Sequence, residues 1–465
     1  MSTSDPGQLE PSFLDRLLSV RREERAAVCC AVGAFFCLLF AIFLLRPLRD
    51  EMGLRGGARN LKYLWAITLA GTVVSSLAFA ALSSRVGRRT FMAWAWRAVA
   101  LMWLAFLPLA LRAEGEWGVH VGRAFYVVHA VSNVFLVSLF WALATDLFAP
   151  EQARRLFGLV AVGGTLGAMA GTAVTGWVAQ HGESLSQAIP TALSSLFGEP
   201  SGRHAVALLL IAPAALLLEL AVRLARAQAA RSGDGSRAVG EQAPLGGHAL
   251  EGLALVLQRP YLQGIALFTL AFGVVQTFFT LQQNHIVESA YADKAARTAY
   301  FAWTENAVQT LTLVVQVFVT GRLMRRLGVG GALAVLPVIG VLGFGALYFA
   351  HSREGAALAI VTVCLIAWRG LSHATQRPAR EALYVPTERV EKYKAKSFTD
   401  TFAFRGGDLA GAFAFDAFSL ASAALVGLPL AAAWGGLGAL LARRQAQLVA
   451  ERAAAQPATL RSPVG

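Results

Sequence analysis

Three of the five lysines in this chain lie close together, at Lys392, Lys394 and Lys396, just before a long apolar segment. Three more charged residues lie inside that segment: Asp400, Arg405 and Asp408. A charge at the centre of a bilayer costs about 2.5–3.5 kcal/mol, so such residues usually face a water-filled cavity or one another. The pattern predicts a membrane protein whose Lys394, Lys396 and Arg405 bind an anionic solute. Asp400 and Asp408 would balance these cations in the empty protein, and simple neutralisation of Arg405 by Asp408 is the alternative.

Two arginines near the end of the first apolar run favour the same chemistry. Arg46 and Arg49 belong to a connection that holds five cations. A guanidinium group can bind phosphate or carboxylate through two parallel hydrogen bonds, so we expect both arginines to bind the solute. The alternative is that they extend to the membrane interface and pair with Asp50 and Glu51.

A third group lies in the tenth apolar run, where the spacing of Arg369, His373 and Arg377 places them on one face of a helix. Arg369 and His373 are predicted ligands of the solute, although a structural ion pair of Arg369 is the alternative. Glu305 in the eighth run is a candidate partner for such an arginine, or a proton carrier. His129 in the fourth run is also a candidate for coupling, but a lone histidine in a helix bundle is more often a packing residue.

The composition places these residues in a polytopic membrane protein. Of 465 residues 56% are hydrophobic, and the mean hydropathy is +0.54. Twelve apolar runs are long enough to cross a bilayer, and a polar segment divides them six and six. We therefore expect an all-α protein with twelve transmembrane helices in two pseudo-symmetric six-helix bundles. The predicted parts are an N-terminal segment at 1–25, bundles at 26–224 and 261–441, a linker at 225–260 and a tail at 442–465.

The net charge of +13 does not require a nucleic-acid partner. With the N-terminus placed in the cytoplasm, 27 of the 41 lysines and arginines fall on the cytoplasmic side and 11 on the other. The remaining three, Arg97, Arg369 and Arg405, lie within apolar runs. This bias predicts a multi-pass protein of a bacterial inner membrane with both termini in the cytoplasm. The four cysteines have no metal-ligand spacing, and we expect no cofactor.

Short motifs recur between the two predicted bundles. Arg85-Val86-Gly87 recurs 241 residues later as Arg326-Leu327-Gly328, and Gly163-Gly164 recurs 243 residues later as Gly406-Gly407. Matches at nearly one spacing favour two parallel six-helix repeats.

The first of these motifs resembles a loop of the major facilitator transporters, whose pattern is G-x-x-x-D-R-x-G-R-R. Ser84 replaces the aspartate of that pattern, whereas the arginines match. The resemblance implies a twelve-helix fold that works by alternating access, and these loops would close its cytoplasmic side. The predicted gating residues are Arg85, Gly87, Arg88, Arg89, Arg326 and Gly328. An ordinary loop that only sets the topology is the alternative.

Two further motifs resemble the bacterial relatives of the nucleotide (ATP/ADP-exchanging) carriers. The L-R-D-x-K-D stretch of those carriers corresponds to residues 45–50 here, where Arg49 replaces the lysine. Their K-x-K-x-x-x-D motif is matched by Lys394, Lys396 and Asp400. Such carriers would place glutamates near His129 and near Gln282–Gln283, so the charge balance differs here.

The resemblance implies a secondary transporter of an anionic solute, with ATP/ADP-type exchange as the leading hypothesis. We expect a monomer. Proton-coupled transport of another organic solute and a sensor or scaffold without transport are the alternatives. No Walker motif and no metallopeptidase or serine-hydrolase motif occurs in the sequence, so we do not expect an enzyme.

Overall fold

The computed structural model describes residues 24–83, 88–113, 115–148, 150–188, 203–231, 249–318, 320–387, 395–396 and 398–455. Helices and their connections account for all of the described chain. The helices up to the polar linker are α1 Arg25–Leu54, α2 Leu61–Ser83, α3 Arg88–Leu111, α4 Gly115–Leu147, α5 Pro150–Ala188, α6 Arg203–Leu208 and α7 Ile211–Arg231. A 3-10 turn at Ala58–Asn60 connects α1 to α2.

The later helices are α8 Ala249–Gln258, α9 Pro260–Ala290, α10 Lys294–Phe318, α11 Thr320–Ala350, α12 Glu354–Leu371, α13 Arg377–Leu383, α14 Phe404–Phe415 and α15 Leu420–Ala455. Two π-helical turns interrupt the regular pattern. One, Ser372–Gln376, joins α12 to α13, and the other, Thr399–Ala403, leads into α14.

The predicted apolar runs all coincide with helices of the described chain. Eight stretches are long and apolar enough to cross a membrane, and they lie on α1, α3, α4, α5, α6–α7, α9, α11 and α15. Several helices are longer than the runs they contain, because polar residues extend them: α5 covers 39 residues and is extended at both ends. The all-α membrane architecture is therefore confirmed.

The described residues form two compact units. Unit 1 lies within Met1–Arg49, Gly71–Val121 and Val128–Gln242, and unit 2 lies within Asp50–Ala70, Gly122–Val127 and Ala243–Gly465. Unit 2 thus includes two short segments from the first half of the sequence. The predicted domain boundaries, drawn by apolar runs alone, do not anticipate these segments.

In the described part of each unit, glycines allow a very close helix crossing. In unit 1, a Cβ added to Gly167 of α5 would lie 2.2 Å from the carbonyl oxygen of Phe36 in α1. In unit 2, a Cβ added to Gly407 of α14 would lie 2.2 Å from the carbonyl oxygen of Leu270 in α9. Only glycine lets the backbones approach this closely.

The two crossings repeat in register. Gly171 follows Gly167 by four residues and lies against Phe40, while Gly411 follows Gly407 by four residues and lies against Val274. The glycines of the two units are 240 residues apart, whereas the dipeptide match in the sequence suggested 243. These contacts support a repeat, with Gly167 equivalent to Gly407. The register therefore differs by three residues from the one that the dipeptide match suggested. Gly406 makes no equivalent contact, since a Cβ added to it would have no neighbour within 4 Å.

Aromatic side chains fill the core of unit 2. Trp368 of α12 and Trp434 of α15 are buried and have ring centroids 5.5 Å apart. Phe272 of α9 packs within 6.0 Å of both rings, and the Trp434 indole donates to the Phe268 carbonyl at 3.0 Å. This cluster fixes α12 directly before Arg369.

Candidate functional site

In unit 1, hydrogen bonds from two helices fix the part of α1 that carries Arg46 and Arg49. Pro47 lies inside α1 and has no N–H to donate to the preceding turn. The carbonyls on either side of residue 43 also accept bonds from other helices: His129 Nε2 donates to Ile42 at 3.0 Å, and Thr175 donates to Leu44 at 2.5 Å. The two arginines therefore project from a segment with a defined position.

His129 is buried and closely packed in this arrangement. Its side chain is fully buried and stacks on Trp103, with ring centroids 5.4 Å apart. Since a carbonyl oxygen can only accept, Nε2 of the ring carries the proton in the bond to Ile42. Arg46 and Arg49 lie within electrostatic range of the ring. The structure thus places these three residues near one another, and the packing role that sequence reasoning favoured for His129 fits the contacts.

Arg46 itself lies over an aromatic ring of its own helix. The guanidinium carbon is 5.0 Å from the ring centroid of Phe43, a cation–π distance. Arg46 and Arg49 are both half-buried. Part of each side chain is therefore accessible within unit 1.

In unit 2, Arg369 forms an ion pair with Glu305. Nη2 of Arg369, at the end of α12, lies 2.6 Å from Oε2 of Glu305 in α10. The Glu305 side chain is 4% exposed and the Arg369 side chain 26% exposed. Gln309 donates to the second carboxylate oxygen at 2.9 Å. The expected pairing of Glu305 with an arginine is thus present, and His373 lies in the π-helical turn that follows, its side chain being outside the described set.

The lysine motif takes part in two ion pairs with α13. Lys396 Nζ lies 2.7 Å and 2.8 Å from the two carboxylate oxygens of Glu381, and Arg380 Nη2 lies 3.0 Å from Oδ1 of Asp400. Lys394 lies outside the described residues. Both pairs adjoin π-helical turns, which occur often at functional sites.

Sequence reasoning missed the partners of this motif. Arg380 and Glu381 are adjacent and of opposite charge, while Lys396 and Asp400 are four residues apart on the facing segment. Opposite charges arranged in this complementary order are a signal that could have identified the pairs. The signal is weak, because it does not say which of many charged dipeptides lies opposite.

Arg405 and Asp408 pair within α14, as their i, i+3 spacing allows. Nη1 of Arg405 lies 3.5 Å from Oδ2 of Asp408. The Thr277 hydroxyl of α9 donates to Asp408 Oδ1 at 3.4 Å and approaches its backbone carbonyl at 3.3 Å. The neutralisation that the sequence left open as an alternative is therefore observed.

Two cations of the connection after α1 have carboxylate partners in unit 2. Arg55 binds Glu51 at 3.1 Å, and Lys62 binds Asp416, which follows α14. The Ala58 backbone N–H donates to Glu288 of α9 at 3.1 Å. Arg55 and Lys62 are thus both paired with carboxylates, so the excess of cations in this connection does not by itself indicate a solute site.

The amides at residues 282–284 are buried. Gln283 Nε2 donates to the Tyr300 hydroxyl at 3.2 Å, and that hydroxyl is 2.6 Å from the Thr362 hydroxyl. Gln282 Nε2 donates to the Leu420 carbonyl at 3.3 Å. These groups join α9 to neighbouring helices, and α9 continues beyond them to Ala290.

The predicted gating residues are described in part. Gly328 in α11 has φ +62° and ψ −170°, a conformation that favours glycine, and it kinks the helix. Arg326 is exposed. Arg88 and Arg89 begin α3, but the structure does not describe their side chains. Arg85 and Gly87 lie outside the described residues. The kink identifies Gly328 as a constrained position of this loop.

A family model described as TLC ATP/ADP transporter matches residues 111–426. ADP,ATP carrier protein 2 of Chlamydia pneumoniae is 24% identical over 381 residues, covering 73% of this chain and 68% of that protein. ADP,ATP carrier protein 2 of Chlamydia trachomatis serovar D is 25% identical over 317 residues, covering 63% of this chain and 58% of that protein. The similarity therefore extends over most of the described helices.

Solved structures of transporters have the same architecture. The nucleoside transporter NupG superposes with a TM-score of 0.59 at 12% identity, covering 92% of this chain and 99% of its own. A bacterial homologue of the iron transporter ferroportin gives 0.60 at 13%, covering 90% and 98%. A bacterial homologue of the lysosomal transporter Spinster gives 0.58 at 14%, covering 94% and 96%. At these identities the likeness shows the fold, which is that of the major facilitator transporters.

Proposed function

We propose that this chain, which belongs to the TLC ATP/ADP transporter family, exchanges adenine nucleotides across the bacterial inner membrane as a secondary transporter. The proposal includes a monomer with both termini in the cytoplasm and alternating access as the mechanism. The family membership, the relatives named ADP,ATP carrier and the intramembrane cations support it together.

The ion pair of Arg369 with Glu305 is the observation that carries the proposal. A buried carboxylate at 2.6 Å neutralises an arginine inside the membrane when no solute is bound. An arriving phosphate offers the guanidinium an equivalent set of charge-assisted hydrogen bonds. The arginine can therefore exchange one anionic partner for another without ever being left uncompensated in a low dielectric.

The same exchange applies to the other cations of the predicted site. Arg405 has Asp408 as its partner and Lys396 has Glu381. Each pair holds a cation in place and limits its affinity, since the solute must displace a carboxylate. Such a balance suits an exchanger, which has to release its substrate on each side.

Counterflow uptake by the purified chain in proteoliposomes tests the proposal. We expect preloaded ATP or ADP to drive uptake of labelled ADP or ATP. Because a hydrogen bond to a charged group contributes about 1.5–3 kcal/mol, Arg369→Gln and Arg49→Gln should each lower uptake at limiting nucleotide by roughly 10- to 100-fold. Arg444→Gln, which changes an exposed arginine of α15, is the matched control and should leave uptake unchanged.

Normal membrane insertion with unchanged uptake in Arg369→Gln and Arg49→Gln would remove both residues from the site. If labelled nucleotide binds but no counterflow occurs, the chain is a sensor and not a transporter. Absence of both binding and counterflow for ATP and ADP would contradict the nucleotide proposal.

Proton-coupled transport of another organic solute is the second candidate. It is favoured by His129 and Gln282–Gln283, which occupy positions where the resemblance would place glutamates. Uptake driven by an imposed pH gradient, with a panel of phosphorylated and carboxylated anions and no preloaded nucleotide, would identify this mode.

A further inference from the structure

Unit 1 contains a second group of intramembrane charges that the transport proposal does not use. Arg97 of α3 donates to Glu219 of α7 through two bonds, Nε to Oε2 at 2.7 Å and Nη2 to Oε1 at 2.9 Å. Arg223, one turn further along α7, donates through Nε to Oε1 at 3.1 Å. Two guanidinium groups thus share one carboxylate, and the group carries a net positive charge.

The group lies on the exposed surface of unit 1. The side chains of Arg97, Glu219 and Arg223 are 35%, 30% and 74% exposed. A pair that served only to hold α3 against α7 would need one arginine and could be buried completely. The surplus cation and the exposure point to a ligand outside the helices.

Large apolar side chains surround these charges on the same surface. Trp94 and Leu101 of α3 and Leu216 of α7 are among the most exposed large apolar residues of the chain. Trp94 and Leu101 lie three residues before and four after Arg97, and Leu216 lies three before Glu219, so they share helix faces with the charges. In a membrane protein such a surface faces lipid.

The cations continue from this pair towards the end of α7. Glu219, Arg223 and Arg226 are spaced at i, i+4 and i+7, which places them on one face of the helix, and Arg226 is exposed. Arg226 lies five residues before the end of α7 at Arg231, about 7–8 Å along the axis. The row therefore extends from within the apolar surface to the depth of lipid headgroups.

We propose that Arg97, Arg223 and Arg226 bind the phosphate of an anionic phospholipid, and that Glu219 orients the first two guanidinium groups. Arginine suits phosphate because its planar fork can donate two parallel hydrogen bonds. Basic side chains between helices near the membrane surface are a recurring form of lipid headgroup site. The acyl chains of the same lipid lie against Trp94, Leu101 and Leu216.

Charge favours this ligand over two other occupants of a lipid-facing surface, a zwitterionic lipid and a second copy of the chain. The three arginines and one glutamate give a net charge of about +2, which a zwitterionic lipid cannot compensate. A second copy of the chain, packed by two-fold symmetry, would place an identical positive cluster opposite this one. An anionic phospholipid supplies both the negative charge and the apolar chains.

Fluorescence quenching at Trp94 tests the proposal. The full chain is reconstituted in phosphatidylcholine vesicles that contain brominated phosphatidylglycerol or brominated phosphatidylcholine at equal mole fraction. The Trp94 contribution is the difference in emission between the chain and its Trp94→Phe variant. We expect brominated phosphatidylglycerol to quench this contribution several-fold more effectively than brominated phosphatidylcholine.

Removing the two exposed arginines should abolish the preference. A basic residue near an anionic surface changes lipid affinity by about fivefold, so Arg223→Gln/Arg226→Gln should reduce the phosphatidylglycerol preference to nearly one. Arg443→Gln/Arg444→Gln removes two exposed charges elsewhere and should retain the preference. Because Arg223 and Arg226 are exposed, we expect the double variant to fold, and gel filtration in detergent checks this.

Equal quenching by both lipids in the unaltered chain would overturn the proposal. So would an unchanged preference in Arg223→Gln/Arg226→Gln. If quenching instead falls as the protein-to-lipid ratio rises, the surface binds another copy of the chain and the lipid proposal is wrong.

Discussion

At the residue scale, the strength of an intramembrane ion pair depends on which partner is more deeply buried. Glu305 is nearly inaccessible, whereas about a quarter of the Arg369 side chain is exposed. Removing the arginine leaves a buried carboxylate without its cation, and removing the glutamate leaves a cation that can still reach water. The two substitutions are therefore not equivalent.

We expect Arg369→Met to lower the stability of the protein by more than Glu305→Gln, with losses on the order of 1–4 kcal/mol. The double variant should recover much of the loss because neither charge remains. Thermal unfolding in detergent, analysed as a double-mutant cycle, measures the coupling. Losses that simply add would show that the two side chains do not interact.

An exposed pair provides the control for that cycle. Arg444 and Glu451 lie 3.4 Å apart on α15, and more than half of each side chain is accessible. Solvent screens such pairs, so Arg444→Met should change stability by less than about 0.5 kcal/mol.

Spacing within one helix predicted one ion pair directly, whereas of the pairs between distant segments only that of Glu305 with Arg369 was anticipated. Arg405 and Asp408 were identified from spacing alone, because i and i+3 positions are neighbours on any helix. Glu219 was not identified as the partner of Arg97, since 122 residues separate them and packing alone brings them together. The same reason explains why Glu381 was missed.

At the element scale, backbone contact at glycine determines where helices cross. A Cβ at Gly407 would meet the Leu270 backbone of α9, which cannot move aside as a flexible side chain can. A Cβ at the adjacent Gly406 would meet nothing within 4 Å. In this Gly406-Gly407 dipeptide, close approach of α9 therefore requires glycine at position 407 but not at position 406.

Gly407→Ala should lower the unfolding temperature measurably, with a cost of about 1–3 kcal/mol from overpacking. Gly406→Ala should be neutral or stabilising, because alanine favours helix by up to about 1 kcal/mol over glycine. Thermal unfolding followed by gel filtration of detergent-solubilised protein compares the two variants. Equal unfolding temperatures would mean that α9 and α14 are not in backbone contact.

The helices were predicted well and their register less well. The apolar runs lie on helices wherever the chain is described, because a segment that crosses a bilayer must be apolar and must satisfy its own backbone hydrogen bonds. The repeat was placed three residues out of register, since matching Gly163-Gly164 to Gly406-Gly407 relied on identity. Contacts instead relate Gly167 to Gly407, because helix approach depends on which glycine faces the neighbouring backbone.

At the scale of the whole molecule, compact units do not follow the order of the chain. Residues 50–70 and 122–127 belong to unit 2 together with residues from 243 onwards. Apolar runs could not predict this grouping, because it depends on contacts between residues far apart in the sequence, both apolar and polar. One such contact joins Lys62, at the start of α2, to Asp416, 354 residues later.

Charge reversal tests whether this ion pair supports the working transporter. Lys62→Glu and Asp416→Lys each place two like charges side by side, and each should lower nucleotide counterflow several-fold. The double variant restores opposite charges and should recover uptake. Lys294→Glu, which reverses an exposed lysine of the same unit, is the control and should have little effect.

The dependence of uptake on salt concentration distinguishes loss of a direct ion pair from a defect in membrane insertion of the variants. Repulsion between exposed like charges weakens as ionic strength rises, since the Debye length falls from about 10 Å at 0.1 M to about 3 Å at 1 M. Uptake by the single variants should therefore improve in high salt, while uptake by the double variant should not. If the double variant is as impaired as either single variant at every salt concentration, Lys62 and Asp416 act separately, and the contact between the two halves of the sequence does not contribute to transport.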